Sequence, residues 1–273
     1  MGRRVVKRLA LPLVALILCT APVLWQLRTA LTPTDELYRV PQAWLPARPT
    51  LDHLAAVFAT RPFGRNLLNS AIVATGAAVL ALALAAPGAY AASTLRLRGG
   101  RLLLGAALAA ALVPPISLVT PLFRILNRLG GLNTYAGLIV PHAALAFPVA
   151  LWVLAAYFRG LPRELREAAE VDGCSAAGAL WRVLLPASAP GLATAGILAF
   201  IASWNEFLLA LTLAGADRVQ TVTVAIAFFP GIEEFPWGEI AAASVIVTVP
   251  VVVVVLLLQR RIVSGLTAGA LGG

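Results

Sequence analysis

A carboxylate and an imidazole stand inside otherwise apolar stretches of this 273-residue sequence: Glu206, in the run Trp204-Asn205-Glu206-Phe207, and His142, between Tyr135 and Tyr157. If those stretches cross a bilayer, an ionisable side chain at their centre costs at least about 2.5 kcal/mol, so each must face protein interior or a wet cavity. Two readings of Trp204-Asn205-Glu206-Phe207 stay open, a polar wall of a solute pathway or a bond that locks two spans. A proton relay through His142 would need a partner carboxylate, and Glu206 is the one intramembrane candidate; the default for His142 is a helix–helix hydrogen bond, and an ordinary interhelical bond with a protonated Glu206 is a further reading of that residue. Other chemistries find little to work with. Lys7 is the sole lysine and follows no glycine-rich turn, so a Walker A loop is not expected. His53 and His142 have no ligand-spaced companions, and Cys19 and Cys174 are too few for a metal cage and poor disulfide partners, so no metal is expected. The spans hold no paired carboxylates, no Ser/His constellation and no GxGD motif, so an intramembrane enzyme is not expected.

The elements that carry these residues follow from hydropathy. With 60% hydrophobic residues and a mean hydropathy of +0.89, the chain reads as a polytopic helical bundle forming one membrane domain. Six spans are predicted, at about 9–27, 67–92, 102–123, 135–158, 191–213 and 240–258. The first follows Arg3, Arg4, Lys7 and Arg8 and resembles a signal peptide only superficially, since its apolar run is long and no small-x-small cleavage site follows. Prolines are expected to interrupt the second span (Pro87-Gly88), the third (Pro114-Pro115, Pro121) and the fourth (Pro141, Pro148). Residues 28–66 are polar and proline-punctuated, with a short surface helix expected over Leu51–Phe58. Placing the N-terminus inside puts thirteen basic residues on inner segments against eight on outer ones, Arg96, Arg98, Arg101 and Arg159 among the inner set. The positive-inside rule therefore favours cytoplasmic N- and C-termini in a multi-pass plasma-membrane protein. The net charge of +9 is thereby read as a topology signal and not as a nucleic-acid footprint.

Residues 161–190 form the one long polar interruption in the C-terminal half. Pro162 suits a helix start, and Leu161, Leu165, Ala168 and Ala169 share a face. Arg163 with Glu167 and Arg166 with Glu170 stand at i,i+4 spacing on the wet side. Gly173 breaks the run. A second short helix is expected with Ala176, Leu180, Val183 and Leu184 on its apolar side and Ser175, Gly178 and Arg182 opposite, stopped by Pro186 and Pro190. Such a pair is either an ordinary amphipathic loop or a stiff surface element.

Glu167-Ala168-Ala169, Asp172-Gly173, the aliphatic run to Leu185-Pro186, and Pro190 resemble the EAA loop of binding-protein-dependent ABC importers, in which it is the coupling helix of the permease subunit. Leu180 fills the slot where that family usually has an aromatic, and Trp181 lies beside it. Trp204-Asn205-Glu206-Phe207 resembles a signature of the carbohydrate-importer permeases. The likeness runs through Glu36-Leu37, Trp44-Leu45-Pro46, Asn69-Ser70, Pro121-Leu122-Phe123, Leu132-Asn133-Thr134 and Gln259-Arg260-Arg261. It is greatest to the second permease of maltose- and trehalose-type importers, actinobacterial ones above all, although Leu271-Gly272-Gly273 lacks the family's final lysine. The resemblance implies a permease fold of six helices and transport of a sugar such as trehalose. The implied partners are a homologous permease, two cytoplasmic ATPase subunits that bind the ATP and Mg, and an extracytoplasmic binding protein. This chain itself would hold no cofactor. It implies coupling through Glu167, Ala168, Ala169, Asp172, Gly173, Leu180, Trp181 and Pro186, and a sugar pathway to which Trp204 and Trp152 would lend flat faces and Asn205 and Glu206 hydrogen bonds. An ion-coupled carrier using Glu206 and His142 is the alternative.

Overall fold

The computed structural model describes residues 2–95, 97–215, 218–231 and 235–270; Arg96 and the terminal Leu271-Gly272-Gly273 lie outside these. Among the described residues every regular element is a helix: α1 (Gly2–Ala30), α2 (Thr34–Leu37), α3 (Asp52–Ala59), α4 (Phe63–Ser93), α5 (Gly100–Ala111), α6 (Pro115–Arg128), α7 (Tyr135–Gly160) and α8 (Arg163–Val171). After these come α9 (Ala176–Ala187), α10 (Ala189–Trp204), α11 (Leu208–Leu213), α12 (Val222–Ala227) and α13 (Trp237–Ala270). Four helical stretches are long and apolar enough to cross a membrane, Pro12–Ala30, Phe63–Ser93, Tyr135–Gly160 and Trp237–Leu257. The pairs α5–α6 and α9–α10 are bent by 96° and 83° and bring the number to six if each pair is one span.

The prolines act more mildly than the sequence suggests. Helix α4 runs unbroken through Pro87, and α7 through Pro141 and Pro148. A proline removes one backbone hydrogen bond, but ending the helix in hydrocarbon would bare several N–H and C=O groups, so the chain keeps the helix. Pro114-Pro115 does break the third span, whereas Pro121 sits inside α6. The predicted fifth span ends at Trp204 and resumes as α11 at Leu208, so Glu206 occupies a break between helices and not the middle of one.

By packing the chain divides into two compact units, Met1–Arg65 with Ala225–Pro250, and Asn66–Val224 with Val251–Gly273. In the first, α1 is almost bare: its apolar window is 6% buried, and Leu13, Leu16, Ile17 and Leu18 point outward, as suits a helix in lipid. Its end is pinned by Arg28, whose guanidinium lies 5.1 Å over the Trp25 ring and donates to the Ala43 carbonyl. Trp25 in turn meets Trp44 edge-on at 6.4 Å. Buried Glu36 accepts from the Ala47 amide at 3.0 Å. The short helix expected near Leu51 is α3, and His53 Nε2 lies 2.9 Å from the Thr32 carbonyl oxygen.

The second unit is built on small residues. Ala77, Ala78, Ala81, Ala143, Ala146 and Ala199 form one buried cluster where α4, α7 and α10 meet, the close approach that replaces hydrophobic driving force between helices in lipid. Gly191 is the tightest point of α10: a Cβ there would stand 2.5 Å from Tyr157 Cγ. Gly191→Ala is therefore expected to cost about 2 kcal/mol through forced separation of α7 and α10. Gly105→Ala, in open space on α5, is expected to be neutral or slightly stabilising. Thermal melts of the two purified variants check the contrast.

Candidate functional site

The loop 161–190 is a two-helix element fastened by its apolar side. Helix α8 ends at Asp172, and Gly173 takes φ +79. The Gly173 N–H donates to the Glu170 carbonyl at 3.0 Å and the Cys174 N–H to the Ala169 carbonyl at 2.9 Å. This doubled bond pattern closes the helix end in a left-handed cap, the backbone state that glycine enters without a Cβ penalty. Ser175 then opens α9, its Oγ accepting from the Gly178 N–H at 3.2 Å, so Ser175 is a cap and not a member of the wet face. Helix α9 does not stop at Pro186. Its Leu180–Leu184 turn is π-helical, with the Leu185 N–H reaching back five residues to the Leu180 carbonyl, and this widened turn accommodates the proline ring before the chain bends at Ser188.

Leu180, Leu184 and Leu185 are buried in one core with Tyr90, Leu104, Leu151, Leu154 and Phe158, and Leu161 and Leu165 pack on its edge. The element is thereby rooted in α4, α5 and α7. Of the residues expected to couple, Glu167, Ala168, Asp172 and Gly173 are exposed, while Ala169 and Leu180 are buried. Ala168 and Ala176, expected on the apolar faces, point outward. Trp181 and Pro186 belong to another surface, an open apolar groove of about 650 Å³ that they line with Val79, Leu82, Leu192 and Phe200. Arg166 and Glu170 pair at 3.4 Å; among the described residues Arg163 and Glu167 make no such pair. Sequence reasoning missed Val171. It is 87% exposed at the tip of α8, beside the polar cap, and no helical face betrays it because the following glycine turns the chain away.

The intramembrane polar residues form a second cluster. Buried His142 on α7 has Nδ1 2.8 Å from Ser203 Oγ on α10, and its Nε2 stands 3.3 Å from Glu206 Oε2 without the alignment of a full hydrogen bond. Glu206 spends both oxygens on the break that holds it: Oε1 accepts from the Leu209 N–H at 2.8 Å and Oε2 from the Ala210 N–H at 3.0 Å. Its own carbonyl accepts from Thr223 Oγ1 at 2.9 Å. The carboxylate is thus the cap of α11, and the imidazole ties α7 to that break. Trp204 is buried, stacked on Phe200 at 5.5 Å, with Nε1 unpartnered. Asn205 is exposed, and its side-chain amide donates to the Ile201 carbonyl. Trp152 is not brought to this cluster. It lies ten residues beyond His142 on α7, roughly 15 Å along the axis, with Nε1 donating to the Leu104 carbonyl at 2.9 Å.

Glu206→Gln is expected to lower stability by about 1 kcal/mol through a weakened cap while leaving uptake within a few-fold. A proton relay would instead lose uptake altogether, and paired melting and transport measurements separate the two.

A further polar cluster has no counterpart as a site in the sequence reading, where Asn69-Ser70 belongs only to the family resemblance. Asn66, Asn69 and Ser70 are all buried on α4. Asn69 Nδ2 donates to the Gln220 carbonyl at 2.9 Å and the Arg218 carbonyl at 3.3 Å, while Tyr135 Oη donates to Asn69 Oδ1 at 2.7 Å. Asn66 Nδ2 also reaches the Gln220 carbonyl, and Ser70 Oγ accepts from the Val222 N–H at 2.8 Å. Together they pin the segment 218–222, which has no helix of its own until Val222. The signal was present as three polar residues at i, i+3 and i+4 entering an apolar run.

Comparison with known proteins agrees with this geometry. The family model described as binding-protein-dependent transport system inner membrane component matches residues 85–267. The chain is 41% identical over 254 residues to the trehalose transport system permease protein SugB of Mycobacterium tuberculosis, covering 92% of each chain. It is 40% identical to the sulfoquinovosyl glycerol transport system permease protein SmoH of Agrobacterium fabrum, over 92% of this chain and 88% of that one. It is 39% identical to the trehalose/maltose transport system permease protein MalG of Thermococcus litoralis over the whole of both. In fold it matches a chain of a bacterial ABC transporter that imports the polysaccharide alginate, with a TM-score of 0.78, 22% identity, and coverage of 94% and 95%. An all-helical chain of this architecture, matched over two thirds of its length by that model, belongs to the inner-membrane permease family of binding-protein-dependent transport systems and is a transport protein, not an enzyme.

Proposed function

We propose that the chain works as one permease domain, paired with a homologous permease, in an ATP-driven importer of a sugar, the disaccharide trehalose being the first candidate. The observation that carries the coupling part is the loop 161–190, rooted by Leu180, Leu184 and Leu185 in the helix core while Glu167, Val171, Asp172 and Gly173 project outward. An exposed valine on a rigid polar tip suits the cleft of a partner subunit. Rigid rooting means that a push on the tip moves α4, α5 and α7 instead of being absorbed by a slack loop. Two cytoplasmic ATPase subunits would bind the ATP and Mg, and an extracytoplasmic binding protein would deliver the solute. Both termini and the loop lie on the cytoplasmic side in this scheme, as the basic residues favour.

The names of the relatives support a sugar, two of the three carrying trehalose in their printed descriptions. Trp204, Asn205 and Glu206 contribute to the pathway chiefly as its scaffold, since Glu206 caps α11 and Trp204 is buried, while exposed Asn205 is the side chain best placed to meet solute. The carrier alternative loses its ground with membership of the family, and the His142–Glu206 contact becomes a structural tie.

The test is the ATP turnover of the purified assembly with its binding protein. Trehalose is expected to stimulate it, and the permease alone is expected to move no sugar under an ion gradient. Stimulation by a different sugar would replace the substrate and leave the mechanism standing, whereas gradient-driven transport by the chain alone would refute the mechanism.

A further inference from the structure

At one end of the second unit, the ends of α4, α5 and α7 enclose a cavity of about 610 Å³ lined by three arginines, two from the α4–α5 turn and the start of α5 and one from α7. Ser93 closes α4, Arg98 and Gly99 lead into α5, Arg101 lies in the first turn of α5, and Arg159 lies in the last turn of α7. No acidic residue lines this space, and among the described residues none of Arg98, Arg101 and Arg159 makes an ion pair or a hydrogen bond. The backbone is shaped to open it. Gly99 takes φ +92, and Gly100 runs so close to Ala92 that a Cβ would stand 2.7 Å from Ala92 Cα, folding the α4–α5 turn flat against α4. The N-terminal turn of α5 has no side-chain cap, which leaves its positive end facing the same side as the arginines. Below the arginines α5 continues as an exposed apolar surface, with Leu102, Leu108 and Leu112 bare.

Uncompensated cations at the level where spans end, directly above a bare leucine band, fit a molecule with a phosphate at one end and hydrocarbon at the other. We propose that this cleft between α4, α5 and α7 is a binding site for the phosphate head group of an anionic phospholipid, with Arg98, Arg101 and Arg159 as its ligands and the leucine side of α5 as the bed for an acyl chain. An acidic protein surface would meet the same charges but gives no role to Leu102, Leu108 and Leu112. The site is independent of the transported solute and of the His142 cluster, and it shares Ser93 and Arg159 with a neighbouring pocket lined by Arg163, Arg166 and Glu167.

The assembled transporter, exposed in mild detergent to equal amounts of phosphatidylglycerol and phosphatidylcholine, tests this by native mass spectrometry of retained lipid. The wild type is expected to keep phosphatidylglycerol selectively. Each arginine near a charged membrane surface contributes roughly fivefold, so the R98Q/R101Q/R159Q variant is expected to lose on the order of a hundredfold in retention. R124Q/R128Q, on α6 away from the cavity, is expected to change nothing. Should the triple variant fail to assemble, R159Q alone still reads the site through its roughly fivefold loss. Undiminished phosphatidylglycerol retention by the triple variant overturns the proposal. So does displacement of the lipid by millimolar inorganic phosphate, which would make this a free-anion site. Loss of the partner ATPase with lipid retention intact also overturns it, by making the patch a protein contact.

Discussion

Gly173→Pro is expected to abolish ATP-driven uptake, and Glu167→Lys to do the same by a different route. Proline cannot take φ +79, and its ring removes the N–H that donates to the Glu170 carbonyl, so the left-handed cap between α8 and α9 cannot form. The local cost is about 3 kcal/mol or more. Leu165, Leu180 and Leu184 still anchor the element, so the subunit inserts and is recovered from the membrane. Gly173→Ala separates geometry from bulk. A Cβ at that position meets nothing within 4 Å, so the alanine suffers only the left-handed penalty of about 1 kcal/mol, and uptake is expected to fall severalfold and not to zero. Glu167 is exposed and makes no ion pair among the described residues, so Glu167→Lys leaves the fold untouched and acts only at the surface it presents. The measurement is sugar-stimulated ATP turnover and uptake in reconstituted vesicles; if coupled turnover survives both changes, the loop does not transmit force.

The second large effect is on stability. Asn69→Leu removes one buried side chain that serves three partners, leaving the Tyr135 hydroxyl and the Arg218 carbonyl without Asn69 and the Gln220 carbonyl with Asn66 alone. Tyr135 and Arg218 are exposed and can turn to water, and the Gln220 carbonyl keeps Asn66, so the loss comes mainly from the broken bonds and is expected to be about 2 kcal/mol. Loss of the clamp should also free the segment 218–222, visible as faster proteolysis there at temperatures below global unfolding. Asn69→Asp is the informative control, since it keeps an acceptor for Tyr135 while losing both donated bonds. It is expected to fall between the wild type and the leucine variant in a detergent melt, and equal stability of all three would remove the clamp from the account.

The bundle was legible because lipid imposes a simple rule: long apolar runs become helices, as in the four stretches long enough to cross a membrane, whereas the third predicted span breaks at Pro114-Pro115 and the fifth after Trp204. The two-helix geometry of residues 161–190 was legible for a different reason, namely that Gly173 and the apolar spacing around Leu165 and Leu180 are local signals. What the sequence hid was the response of the chain to proline and polar residues inside spans. Pro87, Pro141 and Pro148 read as interruptions because local rules forbid them in helices, yet the surrounding helix outlasts one missing bond. Conversely, nothing in Trp204-Asn205-Glu206-Phe207 announces a helix end, because the break is stabilised by the Glu206 carboxylate bonding forward to Leu209 and Ala210. Leu180, placed on the apolar side by periodicity, is in the core, and its neighbour Trp181 lines an open groove, whereas the π turn that joins them to Leu185 has no signal in the sequence pattern.

The claim on which the mechanism rests is that the tip of residues 161–190 is cytoplasmic and covered by another subunit. A single cysteine at exposed Ala177, in a chain carrying Cys19→Ser and Cys174→Ser, reports both properties through labelling by a membrane-impermeant maleimide. Labelling is expected only in inside-out vesicles, and assembly with the ATPase subunits is expected to suppress it. Labelling of intact cells from outside, or full reactivity in the assembled transporter, would contradict the account.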